Sequence, residues 1–402
     1  MAKKSTTSWP VRLFNFFSGY GLAVFCLLML LLLTWLSTLE QPAKGLYEVQ
    51  KRYYDAEAWF VVPDLPWLYI GEQQMIIPLP GAYIVSAILF VNLLLGGIIR
   101  IRKGWRYTGV IISHFSMVSL LFAGFVAHKY SKEGIMFVMQ DDISDYAQSY
   151  YDYTIEVCEI IDGEKTEPYV VPAEYLKPLR SEDVKRIEFP ELPFDIDVSY
   201  WMRNSNVVEA TKGDDDPLVV DGLALQSIDN ATTEEENAAG CYVDVIARSG
   251  DSKKTRLLLY GPVEGIVTVT VDGKVYGFNL VREIWPMPFR VQLDKSVGEY
   301  YPGTSKPSSF MSEITRLADD SEKKFTIKMN EPMRYEGYTL YQARWSGETE
   351  RPQSGFAIVK NPSDKWPEYS LYVSMVGLFI HFGMKLIGFI GQSAGRKKKA
   401  AK

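Results

Sequence analysis

Four long stretches of this chain carry almost no charge, and they limit the possible fold more than any other feature. They are Leu13–Leu39, Pro80–Ile99, Tyr107–Ala127 and Leu371–Ile390. Only the last contains a charged residue, Lys385. Each has at least 20 residues, which at ~1.5 Å per helical residue crosses a hydrocarbon layer of ~30 Å. The sequence therefore predicts four transmembrane α-helices, although an average of 47% hydrophobic and 23% charged residues resembles a water-soluble protein.

Basic residues mark one side of these predicted spans. Three short flanking segments hold twelve Lys and Arg residues and no acidic residue. The twelve residues are Lys3, Lys4, Arg12, Arg100, Arg102, Lys103, Arg106, Arg396, Lys397, Lys398, Lys399 and Lys402. Positive flanks stay in the cytoplasm, so both termini are predicted to be cytoplasmic. The basic C-terminal tail directly follows a span, which favours a topological signal over nucleic-acid binding.

The predicted topology divides the chain into five parts. They are a cytoplasmic N-terminus with the first span (1–39), an outer interfacial loop (40–79), the second and third spans (80–127), an extracytoplasmic domain (128–367), and the last span with its tail (368–402). The outer loop is rich in Tyr, Trp and Pro, and we expect it to lie along the membrane surface or under the outer domain.

The outer domain has the pattern of an all-β fold. Alternating or β-branched runs predict strands at 153–160, 194–201, 241–248 and 255–260. Asp272-Gly273 lies in the middle of a further apolar run and predicts a hairpin turn over 265–281. Residues 323–345 predict two more strands around a turn. The fold class is therefore a four-span membrane protein with a large antiparallel β domain, built as a sandwich or as two lobes.

The three histidines are the main candidates for chemistry. Counted from the cytoplasmic ends of their uncharged runs, His114 lies ~10 Å deep and His381 ~14 Å deep. Ionisable residues at such depth mark function, or else they bond neighbouring helices. His128 ends the third span and is a weaker candidate ligand. Imidazole suits haem iron, copper and zinc, but no Cys or carboxylate is near enough in sequence to complete a zinc site.

The cysteines and the remaining motifs allow fewer functions. Cys158 and Cys241 lie in predicted outer strands and are candidates for a disulfide in an oxidising compartment. There is no Cys-x-x-Cys, no nucleophilic triad, no phosphate loop and no His-Glu-x-x-His, so no catalytic residue is assigned. Haem, with one or two axial histidines, is the cofactor that the residues favour. One reading is an electron-transfer subunit with a bis-His haem between His114 and His381. Another is a membrane-anchored β domain for protein contacts.

Several motifs resemble the ResB (CcsB) family of System II cytochrome c biogenesis. They are GVIISHFSMVSLLFAGFV (109–126), EGIMFVMQDDIS (133–144) and the segment from FTIKMNEPMRYEGYTLYQARW onward. The late match includes Asn330, Pro332, Tyr335, Gly337, Tyr338, Tyr341, Gln342, Asn361 and Pro362. The order of three spans, an outer β domain and a final span is similar to that of the family.

The resemblance implies a haem-handling subunit that carries haem b across the bacterial cytoplasmic membrane and presents it to apocytochrome c. It implies a partner of the CcsA (ResC) type, whose tryptophan-rich loop is absent here, and an accessory rather than catalytic role. His114 matches the family's axial ligand, whereas the resemblance carries no family position over to His381. The flanks and Lys385 together hold thirteen positive charges, so the chain's net −6 leaves −19 for the outer segments, a charge that suits basic apocytochromes.

Overall fold

The protein is described here from a computed structural model, which covers residues 8–70, 73–180, 182–210, 218–248, 254–263, 265–304, 307–318, 321–347 and 349–400. The helices are α1 (Trp9–Phe17), α2 (Tyr20–Lys44), α3 (Leu46–Tyr54), α4 (Ala82–Asn92), α5 (Thr108–Tyr130), α6 (Ala173–Leu176) and α7 (Trp366–Ala400). A π-helical segment, Leu93–Ile99, continues α4, and 3₁₀ turns occur at Pro66–Leu68, Trp105–Tyr107 and Glu234–Glu236.

The strands lie mostly between α5 and α7. They are β1 (Phe60–Val61), β2 (Tyr69–Ile70), β3 (Gln73–Gln74), β4 (Leu79–Pro80), β5 (Lys132–Met139), β6 (Ile143–Ile161), β7 (Glu164–Lys165), β8 (Tyr169–Val171), β9 (Val184–Glu188), β10 (Phe194–Met202), β11 (Ser205–Glu209), β12 (Leu223–Ser227), β13 (Gly240–Ala247), β14 (Lys254–Tyr260), β15 (Val267–Val271), β16 (Lys274–Tyr300), β17 (Pro307–Ala318), β18 (Ser321–Lys328), β19 (Met333–Tyr335), β20 (Tyr338–Trp345) and β21 (Gln353–Lys360).

The chain folds as two compact units. The helical unit comprises Met1–Lys132 and Asn361–Lys402, and the sheet unit comprises Glu133–Lys360. Four helical stretches of the described residues are long and apolar enough to cross a membrane: Tyr20–Lys44, Ala82–Ile99, Trp105–Tyr130 and Trp366–Gln392. The prediction of a four-span membrane protein with a large sheet-rich domain is confirmed at this level.

The first span begins later than its uncharged run. Helix α1 ends at Phe17, and Gly19 is extended (φ −84°, ψ 144°) before α2 begins at Tyr20. The break releases backbone carbonyls, and side chains of the second span satisfy them. Asn92 Nδ2 donates to the Phe17 carbonyl (2.6 Å) and the Gly19 carbonyl (3.0 Å). Residues 13–17 thus belong to a separate helix, because a buried helix break is stable only where its backbone groups are bonded.

The C-terminal end of the first span is tied to the segment that follows it. The carboxylate of Glu40 is buried and accepts hydrogen bonds from Tyr53 (2.6 Å), from Arg52 (3.2 Å) and from the backbone of Asp64 (2.5 Å). These bonds join α2 to α3 and to the loop beyond it. A buried carboxylate is stable when it is paired and hydrogen-bonded in this way.

The sheet unit has two hydrophobic cores that share two long strands. In its described residues, one sheet runs β18-β17-β16-β6-β5-β21-β20-β19 with β15, β7 and β8 at its side, and another runs β14-β13-β10-β9. The first core combines residues of both sheets, for example Ile155, Phe278 and Val243. The second core lies nearer the start of β6 and nearer the end of β16. It includes Ala147 and Val291.

The predicted strands and hairpin are confirmed. Asp272 and Gly273 both have positive φ (51° and 78°), as a two-residue hairpin turn requires, and they join β15 to β16. A similar turn at Glu336-Gly337 joins β19 to β20. Residues 323–345 contain three strands rather than the two predicted, because this second turn divides the segment.

Candidate functional site

The closest helix pair in the helical unit is α5 with α7, and small residues make it possible. A Cβ added to Gly377 would lie 2.5 Å from Ser113 Oγ and 2.8 Å from the Gly109 carbonyl. Ser113 Oγ donates to the carbonyls of Gly109 (3.1 Å) and Ser374 (3.4 Å). The two backbones therefore touch, as in other membrane helix pairs with Gly and Ser at the contact.

His114 lies on α5 with a defined ring orientation. Its Nδ1 is 2.8 Å from the carbonyl of Val110, one turn earlier in the same helix. In the tautomer that donates Nδ1–H to this carbonyl, Nε2 carries the free lone pair and can bind a metal. The other side of the ring lies against Gly97 in the π-helical segment. The imidazole is thus held at two points and offers one ligand atom.

His381 and His114 lie at different levels of the α5–α7 pair. A Cβ on Gly109 would lie 2.5 Å from the backbone N of His381, so His381 is level with Gly109. His114 is five residues further along α5, which is ~7.5 Å along the axis and about 140° around it. His381 Nδ1 is buried and has no hydrogen-bond partner among the described residues.

The relative depth of these two residues differs from the sequence estimate. Counting from the ends of the uncharged runs places His381 deeper than His114. Helix α7, however, continues beyond Ile390 to Ala400, so the end of its uncharged run is not level with the start of α5. The register of the two helices is set by their glycine contact and not by where the apolar runs end.

His128 lies apart from both other histidines. It is exposed at the C-terminal end of α5, with its ring 5.3 Å from the ring of Tyr83 on α4. It is fourteen residues from His114, or ~21 Å along the helix. Among the described residues, no group of three His, Cys, Asp or Glu side chains could hold a metal ion. Haem, which needs only one axial ligand from a chain, fits this donor set better than a bare ion does.

Cys158 and Cys241 are free thiols in the structure, not the disulfide considered from the sequence. Cys241 belongs to the first core together with Val157. Cys158 follows Val157 on β6, and successive side chains of a strand point to opposite faces, so Cys158 lies on the other face of the sheet. Burial raises the pKa of Cys241 to about 12.

A polar cluster lies between the two hydrophobic cores of the sheet unit. The part of the unit that surrounds each core is called a lobe below. Beside a bulge in the β6–β16 pairing, Arg282 donates to the carbonyls of Tyr150, Glu235 (3.0 Å) and Asn237 (3.2 Å). Its guanidinium also lies 4.5 Å from the ring centre of Tyr153. Burial raises the pKa of both Tyr150 and Tyr153. Beside this bulge one arginine side chain thus bonds the carbonyl of Tyr150 on β6 and the carbonyls of Glu235 and Asn237 in the segment before β13.

The same cluster borders a small pocket of about 100 Å³. Arg344 lines this pocket and donates to the Glu235 carboxylate at 3.0 Å. The charges of Arg344 and Glu235 are therefore paired with each other. We read the pocket as part of the junction between the two lobes and not as a ligand site.

Sequence reasoning missed Gly97, Asn92 and Arg282. Two signals pointed to the first two: an adjacent Gly96-Gly97 pair and a lone Asn inside a Leu-rich span. Arg282 had no such signal, because its role depends on a bulge that only strand pairing creates.

Fold and site together define a membrane protein with four candidate spans, a large sheet-rich domain and one well-oriented imidazole in a span. The model of the ResB-like family matches residues 261–365, from the residue after β14 to the residue before α7. This match supports assignment of the chain to the ResB/CcsB family, and it covers most of the late motifs that carried the resemblance. No curated protein matches the chain.

Proposed function

We propose that this chain is a haem-handling subunit of a cytochrome c maturation complex, and that His114 supplies an axial ligand to the haem iron. The observation that supports this proposal most directly is the orientation of the His114 ring. Its Nδ1 is 2.8 Å from the Val110 carbonyl, which leaves Nε2 as the ligand atom. The ResB-like match adds support, because that family is associated with cytochrome c biogenesis. Haem b is the cargo in this proposal and not a resident cofactor.

The second axial ligand comes from a partner protein. His128 lies ~21 Å along α5 from His114 and cannot share an iron with it. The backbone of His381 is level with Gly109, ~7.5 Å and about 140° from His114, and the direct contact of α5 with α7 there leaves no room for a porphyrin between them. A CcsA-type membrane protein with a tryptophan-rich loop is the partner that the family resemblance implies. The accessory role that the family resemblance implies is part of this proposal.

The proposed orientation follows the charges. The basic flanks lie on the cytoplasmic side of a bacterial inner membrane, and the sheet unit lies on the opposite side. The outer segments then carry the −19 charge and attract basic apocytochromes over the ~8–10 Å that screening allows. Reporter fusions test this: green fluorescent protein after Lys402 should fluoresce, and alkaline phosphatase there should be inactive. Active phosphatase at this position would overturn the orientation.

The haem assignment is tested by purifying the chain with and without its membrane partner. With the partner, the wild-type complex should show a Soret band, and His114→Ala should lose it. His381→Ala is the matched control, because it also removes a membrane imidazole, and it should keep the band. Added imidazole should restore the band in His114→Gly. Haem content that is unchanged in His114→Ala would refute the proposal.

Two other functions give different results in the same experiment. A bis-His electron-transfer subunit would hold stoichiometric haem without the partner and would lose it in both histidine variants. The touching backbones of α5 and α7 argue against this, because they leave no room for a porphyrin between these helices at Gly109 and Gly377. A purely structural β domain on an anchor would show no haem in either preparation.

A further inference from the structure

The second span changes its helical geometry where it meets His114. From Leu93 to Ile99 the helix is a π-helix, and the backbone N–H of Arg100 bonds to the Leu95 carbonyl at 2.8 Å. A π turn inserts one residue into the helical repeat and so rotates the residues beyond it. Such turns are uncommon, and they are concentrated at functional sites. This one presents buried Gly97 to α5.

Gly97 leaves no space between its backbone and the His114 ring. A Cβ at this position would overlap with His114 Cδ2 and would lie 2.9 Å from Cγ and 3.2 Å from Cβ. The ring therefore rests on the glycine backbone itself. Any larger residue would force the imidazole or the helix to move, because real Cβ atoms do not come this close to other heavy atoms.

The glycine and the Val110 carbonyl restrain the same side chain from two directions. The carbonyl holds Nδ1, and the glycine backbone bears on the Cδ2 side, next to Nε2. Together they fix both side-chain torsions of His114, and so the direction of the Nε2 lone pair. Fixed ligands of this kind lose little entropy on binding, which raises affinity.

The π-helical segment is itself held in place. On one side Asn92 donates to the carbonyls of Phe17 and Gly19 at the break before α2. On the other side Arg100 donates to Ser18 Oγ at 2.9 Å, and Lys103 donates to the Ile98 carbonyl. The backbone under His114 is thus tied to the first span and to the cytoplasmic loop.

We propose that Gly97 is a positioning residue that aims His114 Nε2 at the haem iron. This proposal rests on the proposed function, since it assumes that His114 is the ligand. It goes further in assigning the π turn of the second span a role in ligand geometry. Gly97 does not touch the cargo in this proposal; it acts only through the imidazole.

The neighbouring glycine provides a matched control. A Cβ on Gly96 would lie 2.8 Å from the Ser18 carbonyl, and the contacts found for it are with Ser18 and not with His114. Gly96→Ala and Gly97→Ala therefore make the same chemical change, one residue apart in the same π segment. Only the second pushes on the imidazole.

The first measurement needs no haem. In the full-length protein labelled with ¹⁵N-histidine, imidazole spectra assigned with His114→Ala report the tautomer and hydrogen bond of His114. Gly97→Ala should shift the His114 nitrogen signals, and Gly96→Ala, which displaces the Ser18 carbonyl and not the ring, should shift them much less. Equal effects of the two variants, or none from Gly97→Ala, would overturn the proposal.

The second measurement uses the complex with the membrane partner. Gly97→Ala should lower haem affinity by roughly 10- to 100-fold, which is typical when an outer-shell support of a metal ligand is removed, with a shifted Soret maximum in the haem that remains. Gly96→Ala should keep the wild-type spectrum. If His114→Ala keeps its haem, the proposed function fails. If His114→Ala loses haem but Gly97→Ala behaves like Gly96→Ala, only the positioning role fails.

A double-mutant cycle covers the case in which Gly97→Ala is unstable. Removing the ring with His114→Ala relieves the overlap with Cδ2 and Cγ and leaves only the 3.2 Å contact with Cβ. Gly97→Ala should therefore lower the melting temperature of the wild type much more than that of His114→Ala. Gly96→Ala should lower both by the same amount. A Gly97→Ala effect that is equally large without the ring would assign the glycine to helix packing and overturn the proposal.

Discussion

Replacing Arg282 by Met should loosen the junction between the two lobes of the sheet unit. The substitution keeps an unbranched apolar stem and removes the guanidinium donors to the carbonyls of Tyr150, Glu235 and Asn237, of which Asn237 keeps a hydrogen bond from the Tyr153 hydroxyl at 3.2 Å. Each buried carbonyl left without a partner costs ~1–3 kcal/mol, and loss of the stacking on Tyr153 costs ~0.5–2 kcal/mol. Because water reaches part of the site, we expect a net loss of ~3–5 kcal/mol, as for other broken buried networks.

Hydrogen exchange measured by mass spectrometry on the full-length protein tests this locally. A loss of ~3–5 kcal/mol corresponds to exchange that is about 150- to 5,000-fold faster in peptides from the middle of β6 and β16. In thermal unfolding it corresponds to a melting temperature lower by ~6–20 °C for a unit of this size. The matched control is Arg290→Met, an exposed position on the same strand, which should change stability by less than ~0.5 kcal/mol. Equal exchange rates in the two variants would refute the assignment of Arg282 as the link between the lobes.

Three further results are expected. Gly377→Val should separate α5 from α7 and lower the melting temperature in detergent. Gly383→Val should not, because a Cβ added there meets no atom within 4 Å. Equal melting temperatures of the two variants would contradict the proposed packing of α5 on α7. Burial alone would raise the pKa of Asp244, but hydrogen bonds from Arg256 and Lys254 hold it below its usual 3.8. The carboxylate thus stabilises the fold above that pH and the stabilisation is lost as the pH falls through the lowered pKa, so Asp244→Asn should flatten the acid side of the stability profile. Cys241 should resist iodoacetamide at pH 8 until the protein unfolds, because burial raises its pKa to about 12; a disulfide-linked peptide in non-reducing digests would contradict this.

Local patterns were sufficient for much of the fold. Uncharged runs predicted the four spans, since no other fold buries so many consecutive apolar residues at these lengths. Alternation and the Asp272-Gly273 turn predicted strands and a hairpin, because side-chain period and positive φ are properties of the chain itself. The Ser18-Gly19 break was missed, because its stability depends on Asn92 and Arg100, which lie more than seventy residues away.

The candidate site divides in the same way. That His114 is a polar residue inside a span can be read from the sequence, and so can its family motif. The ring orientation, the Gly97 backbone beneath it and the position of His381 opposite Gly109 depend on how helices pack. Helix register is set by which small residues let two backbones touch, and that pairing cannot be derived from either helix alone. The sequence alone thus determined the number of spans, the β character of the domain and the candidate ligand. Tertiary structure decided the contact of the His114 ring with Gly97 and the level of His381 beside α5, because both arise only when separate helices pack together.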